Sequence, residues 1–303
     1  MAKTHKRPGP RSGTRPCQSR LTQKGASEMT TPQTGGKAAG DCIPLPGLDD
    51  PEGAYVPDEI DFIVDAHVHV FPDTLFDAVW GWFDQFGWPI RYRLNTPELM
   101  EFLFARGIDH VVALQYAHKP GIARGLNRFM VDICRNNDRI SGMATVYPGE
   151  KDSAAILQAA FDAGLKGVKL HSHVQCFELD SPAMHEIYRL CSDRQKPLII
   201  HAGREPKSPA YPCDPYELCR ADFVEKVLND YPGLQVCIPH LGADEFLEYR
   251  RMLNAYDNLW TDTTMVMAAY LPCRDMPPLT SFRMDRVLYG TDFPNIPYAW
   301  DRE

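Results

Sequence analysis

"FIVDAHVHVF" (residues 62–71) sets one acid and two histidines into a run of Ile, Val and Phe. Its β-branched and aromatic content marks a strand, and side chains on a strand alternate faces. Asp65, His67 and His69 therefore share one side, while Ala66, Val68 and Val70 take the other. Two imidazoles buried side by side are costly unless something satisfies them. A metal ion would do so, and the rest of the chain decides whether one is expected.

From Asp61 onward short β-rich runs alternate with helical ones. "HVVALQ" (110–115) is followed by "GLNRFMVDICRNN", "ISGMATVY" (140–147) by "SAAILQAAFDAG", and "KGVKLH" (166–171) by "SPAMHEIYRLCSDR". "PLIIHAG" (197–203), "LQVCIPHLG" (234–242), "NLWTDTTMV" (258–266) and "RVLYGTDF" (286–293) complete the strands. Thr96, Ser181 and Asp222 are expected helix caps, and Gly107 and Gly164 expected stops. Strict alternation points to parallel βαβ units, which suit a doubly wound sheet or a closed barrel. Eight strands favour a (β/α)₈ TIM barrel, whose usual size of about 250 residues matches residues 59–303. An eighth helix should follow the last strand, yet the sequence stops soon after "YGTDFPNIPYAWDRE". The last helix is thus expected to be lacking or truncated, or that flank to be covered by another subunit in a homo-oligomer.

Residues 1–58 differ in kind, being rich in Pro, Gly, Ser, Thr and Lys/Arg without periodic apolar positions. Such a stretch buries too little apolar surface to offset its ordering entropy, so it is expected to be a disordered tail. It holds eight basic against six acidic residues, leaving 24 against 34 in the remainder. An acidic body argues against nucleic acid, whose binding relies on neutralising phosphates with Lys and Arg. No apolar run approaches the roughly 20 residues that cross a bilayer, so no membrane partner is expected. The nine cysteines are scattered, with no C-x-x-C pair, which reads as reduced thiols in a cytoplasmic enzyme.

The chemistry of such folds lies at the carboxyl ends of the strands. Of ten histidines, five sit at such ends: His67, His69, His171, His201 and His240. Lys169 accompanies His171 on the fourth strand, and Asp292 closes the eighth. Each alone is as well explained by a hydrogen-bonded core residue or a turn acid. Jointly they differ, because a barrel gathers its strand ends around one axis. Three imidazoles and a carboxylate suit zinc, or manganese or iron with less preference.

In that order "VDAHVHVF", "GVKLHSHVQ", "IIHAG", "IPHLG" and "YGTDFP" resemble the amidohydrolase-related family of metal-dependent barrel hydrolases. The resembling branch includes the aminocarboxymuconate-semialdehyde decarboxylase-like enzymes, and the likeness covers roughly residues 61–303. It implies that His67, His69, His201 and Asp292 hold a divalent metal, zinc first. It implies that His240 either binds a second metal or acts on substrate and water. One ion is expected, and two if Lys169 is carboxylated. Lys169 is equally read as a barrel-interior ion-pair partner, and alternation puts it on one face with His171, so only one of them reaches the centre easily. His173 lies further into the loop, with a surface or substrate-contact role open.

The implied reaction is hydrolysis of an amide, ester or lactone of a small molecule by water whose pKa a bound zinc lowers to about 7. Asp292 would hold that water and move its proton, and His240 would polarise the substrate carbonyl. The alternative is decarboxylation of an unsaturated or aromatic carboxylic acid anchored by the metal and an arginine. Arg204 and Tyr211, in the Pro-rich loop after His201, are candidates for an anionic substrate, with a surface salt bridge the commoner fate of such an arginine. Trp80, Trp82, Phe83, Phe86 and Trp88 read as a lid over the barrel mouth, a subunit contact or ordinary core.

Overall fold

Parallel pairing follows directly from the alternating sequence. The computed structural model describes residues 46–204, 207–270 and 276–303. Its strands are β1 (Val64–His69), β2 (His110–Leu114), β3 (Ile140–Gly142), β4 (Val168–His171), β5 (Leu198–His201), β6 (Val236–Ile238), β7 (Leu259–Asp262) and β8 (Val287–Leu288). Its α-helices are α1 (Asp73–Phe86), α2 (Thr96–Ala105), α3 (Ala123–Arg135), α4 (Ser153–Asp162), α5 (Ser172–Gln175), α6 (Pro182–Asp193), α7 (Pro215–Leu218), α8 (Ala221–Asp230) and α9 (Phe246–Ala255). Strands β1 to β3 form one parallel run and β4 to β8 another.

Two seams close these runs into the expected (β/α)₈ barrel. At one, Ala144 N donates to Gly167 O at 2.8 Å and Lys169 N to Ala144 O at 2.8 Å. At the other, Ala66 N donates to Tyr289 O at 2.9 Å, His69 N to Phe293 O at 2.8 Å, and Asp292 N to His67 O at 2.9 Å. Most of the core lies between strands and helices. Leu114, Met143, Ile199 and Cys237 form a smaller apolar group. Ile199 precedes His201 by two residues and so shares its face of β5.

Local signals were partly displaced. Asn95, not Thr96, caps α2: its side chain accepts from Glu98 N at 3.2 Å while Glu98 accepts from Asn95 N at 3.1 Å, a capping box. Thr96 Oγ1 instead donates to Phe71 O at 2.9 Å, tying the helix to the end of β1. Ser181 caps α6 through Met184 N. Asp222 lies within α8, after the cap residue Arg220, with which it forms an ion pair. Gly107 and Gly164 stop their helices at φ +98° and +103°, a region costly for other residues.

Residues 1–45 of the expected tail lie outside the described residues. The boundary at 58 is corrected by contacts of the segment before it. Tyr92 Oη donates to Glu52 at 2.5 Å, Val56 N to Arg106 O at 2.7 Å, and Arg302 Nε to Asp50 at 2.6 Å. Among the described residues no α-helix follows β8; the chain makes a 3₁₀ turn at Trp300–Arg302, with Trp300 buried. No helix among them is long and apolar enough to cross a membrane.

The acid of the first strand does not face the histidines' partners but locks the closing seam. Asp65 accepts from Thr291 Oγ1 at 2.6 Å, Thr291 N at 3.1 Å and His67 N at 3.1 Å, all buried. Burial pushes its carboxyl up to about 7, against the pull of those three donors. Asp65→Ala strands three buried donors and is expected to lower unfolding free energy by about 3 kcal/mol or more. Urea denaturation checks this: an unchanged midpoint would show that the seam holds without Asp65.

Candidate metal centre

The seam carries the end of β1 against the segment after β8. Gly290 makes this approach feasible, since a Cβ there would stand 2.9 Å from His67 Cβ. His67 Nε2 lies 3.2 Å from His69 Nε2 and 3.4 Å from Asp292 Oδ1, and His69 Nε2 lies 2.9 Å from the same oxygen. Asp292 sits at φ +61°, a left-handed conformation that an Asp tolerates better than most residues. His67 Nδ1 donates to Asp262 Oδ2 at 2.7 Å, which leaves Nε2 presenting a lone pair to the group. Lone pairs and a carboxylate facing one another in a dry interior need a proton or a cation between them. Two nitrogens and one oxygen, all within 4.8 Å of each other, fit a divalent ion.

Asp262 organises the surroundings. Its Oδ1 accepts from His240 N at 2.9 Å and Thr264 Oγ1 at 2.6 Å. Burial pushes this carboxyl up, but the His67 imidazole and the hydrogen bonds outweigh it and hold it well below the usual range. For Asp292 too, the neighbouring imidazoles overcome burial and keep it ionised. Burial lowers His67 to about 4 and lowers His69 as well, against the pull of Asp262 and Asp292, which disfavours the protonated ring that cannot ligate. His240 Nδ1 lies 2.7 Å from Thr264 Oγ1 and 3.0 Å from Thr264 O, and its Nε2 is 3.3 Å from His201 Nδ1. The turn that presents it bends through positive φ at His240 and Leu241; Gly242 follows at φ +81°, where a Cβ would overlap the Tyr249 ring.

Lys169 is fully buried, with Nζ 3.4 Å from His67 Nε2. Burial lowers it to about 8, opposed by the Asp262 and Asp292 carboxylates. His171, on the same strand face, lines the cavity instead. His171 does not join the first group. It clusters with His173 and His201, whose donor atoms also lie within 4.8 Å of one another. Of the four expected ligands, His67, His69 and Asp292 fall in one such group, and His201 lies with the β4 histidines.

Both groups open on one cavity of about 290 Å³. Its other wall is aromatic: Phe71, Trp82, Phe83, Trp88, Tyr116 and Tyr211. Trp82 on α1 meets Tyr211 of the Pro-rich loop with ring centroids 5.6 Å apart, and both line the cavity. Arg204 is not among the lining residues; it pairs with Glu245 at 3.4 Å and lies over the Tyr216 ring at 4.6 Å. Of the two readings of Arg204, the pairing with Glu245 matches the salt bridge. Sequence reading missed Asp262 and Thr264, although Asp262 ends β7 and the strand-end rule that selected Asp292 applied equally to it.

A family model described as Amidohydrolase matches residues 64–303. No curated protein matches the chain significantly. Among solved structures, 5-carboxyvanillate decarboxylase from Novosphingobium aromaticivorans, complexed with manganese and 4-hydroxy-3-methoxy-5-nitrobenzoic acid, is 20% identical. That match covers 84% of this chain and 91% of the other, with a TM-score of 0.58. A 2,6-dihydroxybenzoate decarboxylase complexed with 2,6-dihydroxybenzoate is 16% identical over 78% of this chain and 90% of its own, TM-score 0.55. A probable 2-pyrone-4,6-dicarboxylic acid hydrolase from Acinetobacter baumannii, with citric acid bound, is 19% identical over 77% and 84%, TM-score 0.51. At such identities the likeness is one of fold.

Asp262→Asn keeps the shape but loses the charge that orients His67, and is expected to weaken divalent-metal binding about 10–100-fold. Titration of the chelator-stripped protein with Mn²⁺ or Zn²⁺ measures this, and an unchanged affinity would remove Asp262 from the centre.

Proposed function

The chain belongs to the amidohydrolase family, and on that premise we propose that it is a metal-dependent decarboxylase of a small aromatic or unsaturated carboxylic acid. The observation that carries the reading is the cavity itself. One side is a set of aromatic rings suited to a flat apolar body, and the other is a cluster of donors suited to its oxygens. Its volume of about 290 Å³ limits the occupant to a small molecule. The named ligands of two fold neighbours, a nitrobenzoic acid and a dihydroxybenzoate, lend support of the same chemical kind.

His67, His69 and Asp292 would hold the ion, with His201 as the further ligand implied by the resemblance. A divalent cation there supplies Lewis-acid polarisation of a substrate carboxylate or hydroxyl oxygen. Asp292 enters the reaction ionised, held so by the imidazoles of His69 and His67. It accepts the proton of a substrate hydroxyl and returns it to the carbon that loses carbon dioxide. The electron pair of the breaking C–C bond becomes the new C–H bond, and solvent reprotonates the phenolate on release. His240, fixed by Thr264 and Asp262, orients the substrate from the sixth strand. The aromatic wall keeps bulk water from the reacting carbon.

Hydrolysis, expected first from the sequence, uses the same carboxylate: Asp292 would take a proton from water and pass it to a leaving group. The ionised state of Asp292 favours that reading equally; the aromatic wall favours decarboxylation. Carbon dioxide release from hydroxybenzoic acids, set beside cleavage of aryl esters and lactones, separates the two. Decarboxylation is expected, lost after dialysis against a chelator and restored by Mn²⁺ or Zn²⁺. Asp292→Asn should lower kcat about 10²–10⁴-fold with an unchanged melting temperature. Lactone cleavage without carbon dioxide release would overturn the choice, and full turnover by the variant would overturn the role of Asp292.

A further inference from the structure

Among the polar side chains that border the cavity, the proposed reaction leaves the amide of Asn295 unused. It stands at the end of "TDFPN" (291–295), the stretch that follows the closing seam. Asn295 N donates to Asp292 O at 2.9 Å, so the backbone folds back on itself over four residues. Such a turn holds its first and fourth residues within about 7 Å of each other. Both Asp292 and Asn295 border the cavity, and one turn therefore carries two polar side chains to it. The wall side is tied as well, because Asn295 O accepts from Trp88 Nε1 at 2.9 Å. With both its backbone polar atoms engaged, the residue is a fixed mount for its side chain.

That side chain is enclosed and unsatisfied. Asn295 is only 4% exposed, and its Oδ1 is buried with no hydrogen-bond partner among the described residues. A buried polar atom left unpaired is costly, and an occupant that pairs with the amide removes the cost. An amide holds a donor and an acceptor, and a half-turn about its Cβ–Cγ bond exchanges them, so either end can meet the occupant. A hydroxyl, which both donates and accepts, suits the amide in either orientation, whereas a carboxylate only accepts. The described residues that border the cavity include no Lys or Arg. A second carboxylate beside Asn295 would thus lack a counter-charge, while an uncharged hydroxyl needs none.

We propose that Asn295 is a specificity-determining residue, its amide reading a second, uncharged hydroxyl on the ring of a monocarboxylic substrate. The inference rests on the decarboxylase reading for the class of occupant and adds the group that selects within it. Asp292 meets the reacting end of the ring, and Asn295, beside Trp88, meets a substituent that takes no part in the chemistry. Its contribution is to register: a ring without that hydroxyl leaves the amide unpaired and binds more weakly.

The test reads binding and not turnover. Full-length protein loaded with Mn²⁺ is mixed with salicylate and with the dihydroxybenzoates that add one hydroxyl to it at each free ring position. Affinity is taken from stopped-flow quenching of tryptophan fluorescence, since Trp82 and Trp88 both border the cavity. At least one dihydroxybenzoate is expected to bind wild type about tenfold or more tighter than salicylate, or about 1.4 kcal/mol. In Asn295→Leu that advantage should vanish, and in Asn295→Ala also, which serves where leucine does not fit. A general loss of packing weakens both ligands alike and leaves their ratio, so the ratio separates recognition from support. Dihydroxybenzoates that bind wild type no tighter than salicylate overturn the inference alone, as does a preference that survives in both variants. Failure of every benzoate to bind overturns the decarboxylase reading, and the role of Asn295 with it.

Discussion

The seam between β1 and the segment after β8 is the constraint on which the centre depends. Asp65 and Thr291 are 226 residues apart in sequence, and their buried hydrogen bonds fix the last strand against the first. Because Thr291 is anchored, Asp292 next to it is delivered to His67 and His69, its Oδ1 3.4 Å and 2.9 Å from their Nε2 atoms. The same seam explains why the interior tolerates a glycine at 290, where any side chain would collide with His67. Fold closure and site assembly are here one set of contacts, so the energy that completes the barrel also places the donors.

That placement has an electrostatic cost which the surrounding residues offset. Asp262 and Asp292 are buried carboxylates, each held ionised by imidazoles against the penalty of burial. Lys169 is a buried amine balanced by the same two acids. None would be stable alone in an apolar interior. Positive φ at His240, Leu241 and Asp292 adds local backbone strain at the loops that present the site. Charge and strain concentrated at the carboxyl ends of the strands, with an apolar group of Leu114, Met143, Ile199 and Cys237 sharing the strands, is the division of labour expected of a barrel that does chemistry at one face.

Much of this was legible because period-2 and period-3.6 patterns alternate cleanly after residue 61. The strand ends then pointed to His67, His69, His171, His201, His240 and Asp292, and all but His67 border the cavity. What the sequence could not resolve was partnership. The side-chain period puts Asp65 with the histidines, yet the register of β1 shifts between Asp65 and Val68, and the acid turns to Thr291. Asp262 was hidden within a run read simply as a strand. Arg204 carries the right charge at a loop beside the mouth, but Glu245, from a turn forty residues on, compensates it. Thr96 yielded its cap to Asn95 because the hydroxyl is used against Phe71 O. In each case the residue type was right and a long-range neighbour decided its use.

Beside β8 the chain up to Glu303 packs as an irregular stretch against the barrel. Phe293 stacks on Phe102 of α2 at 5.2 Å and meets Tyr92 at 4.8 Å, carrying the chain after β8 onto α2. Ile296, Tyr298 and Trp300 are buried in turn, and Trp300 N donates to Tyr92 Oη at 3.0 Å. The outer surface of this stretch is held by the segment before β1: Asp50 pairs with Arg302 and accepts from Ala299 N, while Glu52 takes the Tyr92 hydroxyl. Asn295 on the same stretch borders the cavity, and its carbonyl accepts from Trp88 Nε1 at 2.9 Å. The covering of the flank and the aromatic wall of the site are therefore mechanically joined, and loosening the segment around Asp50 would be felt at Trp88.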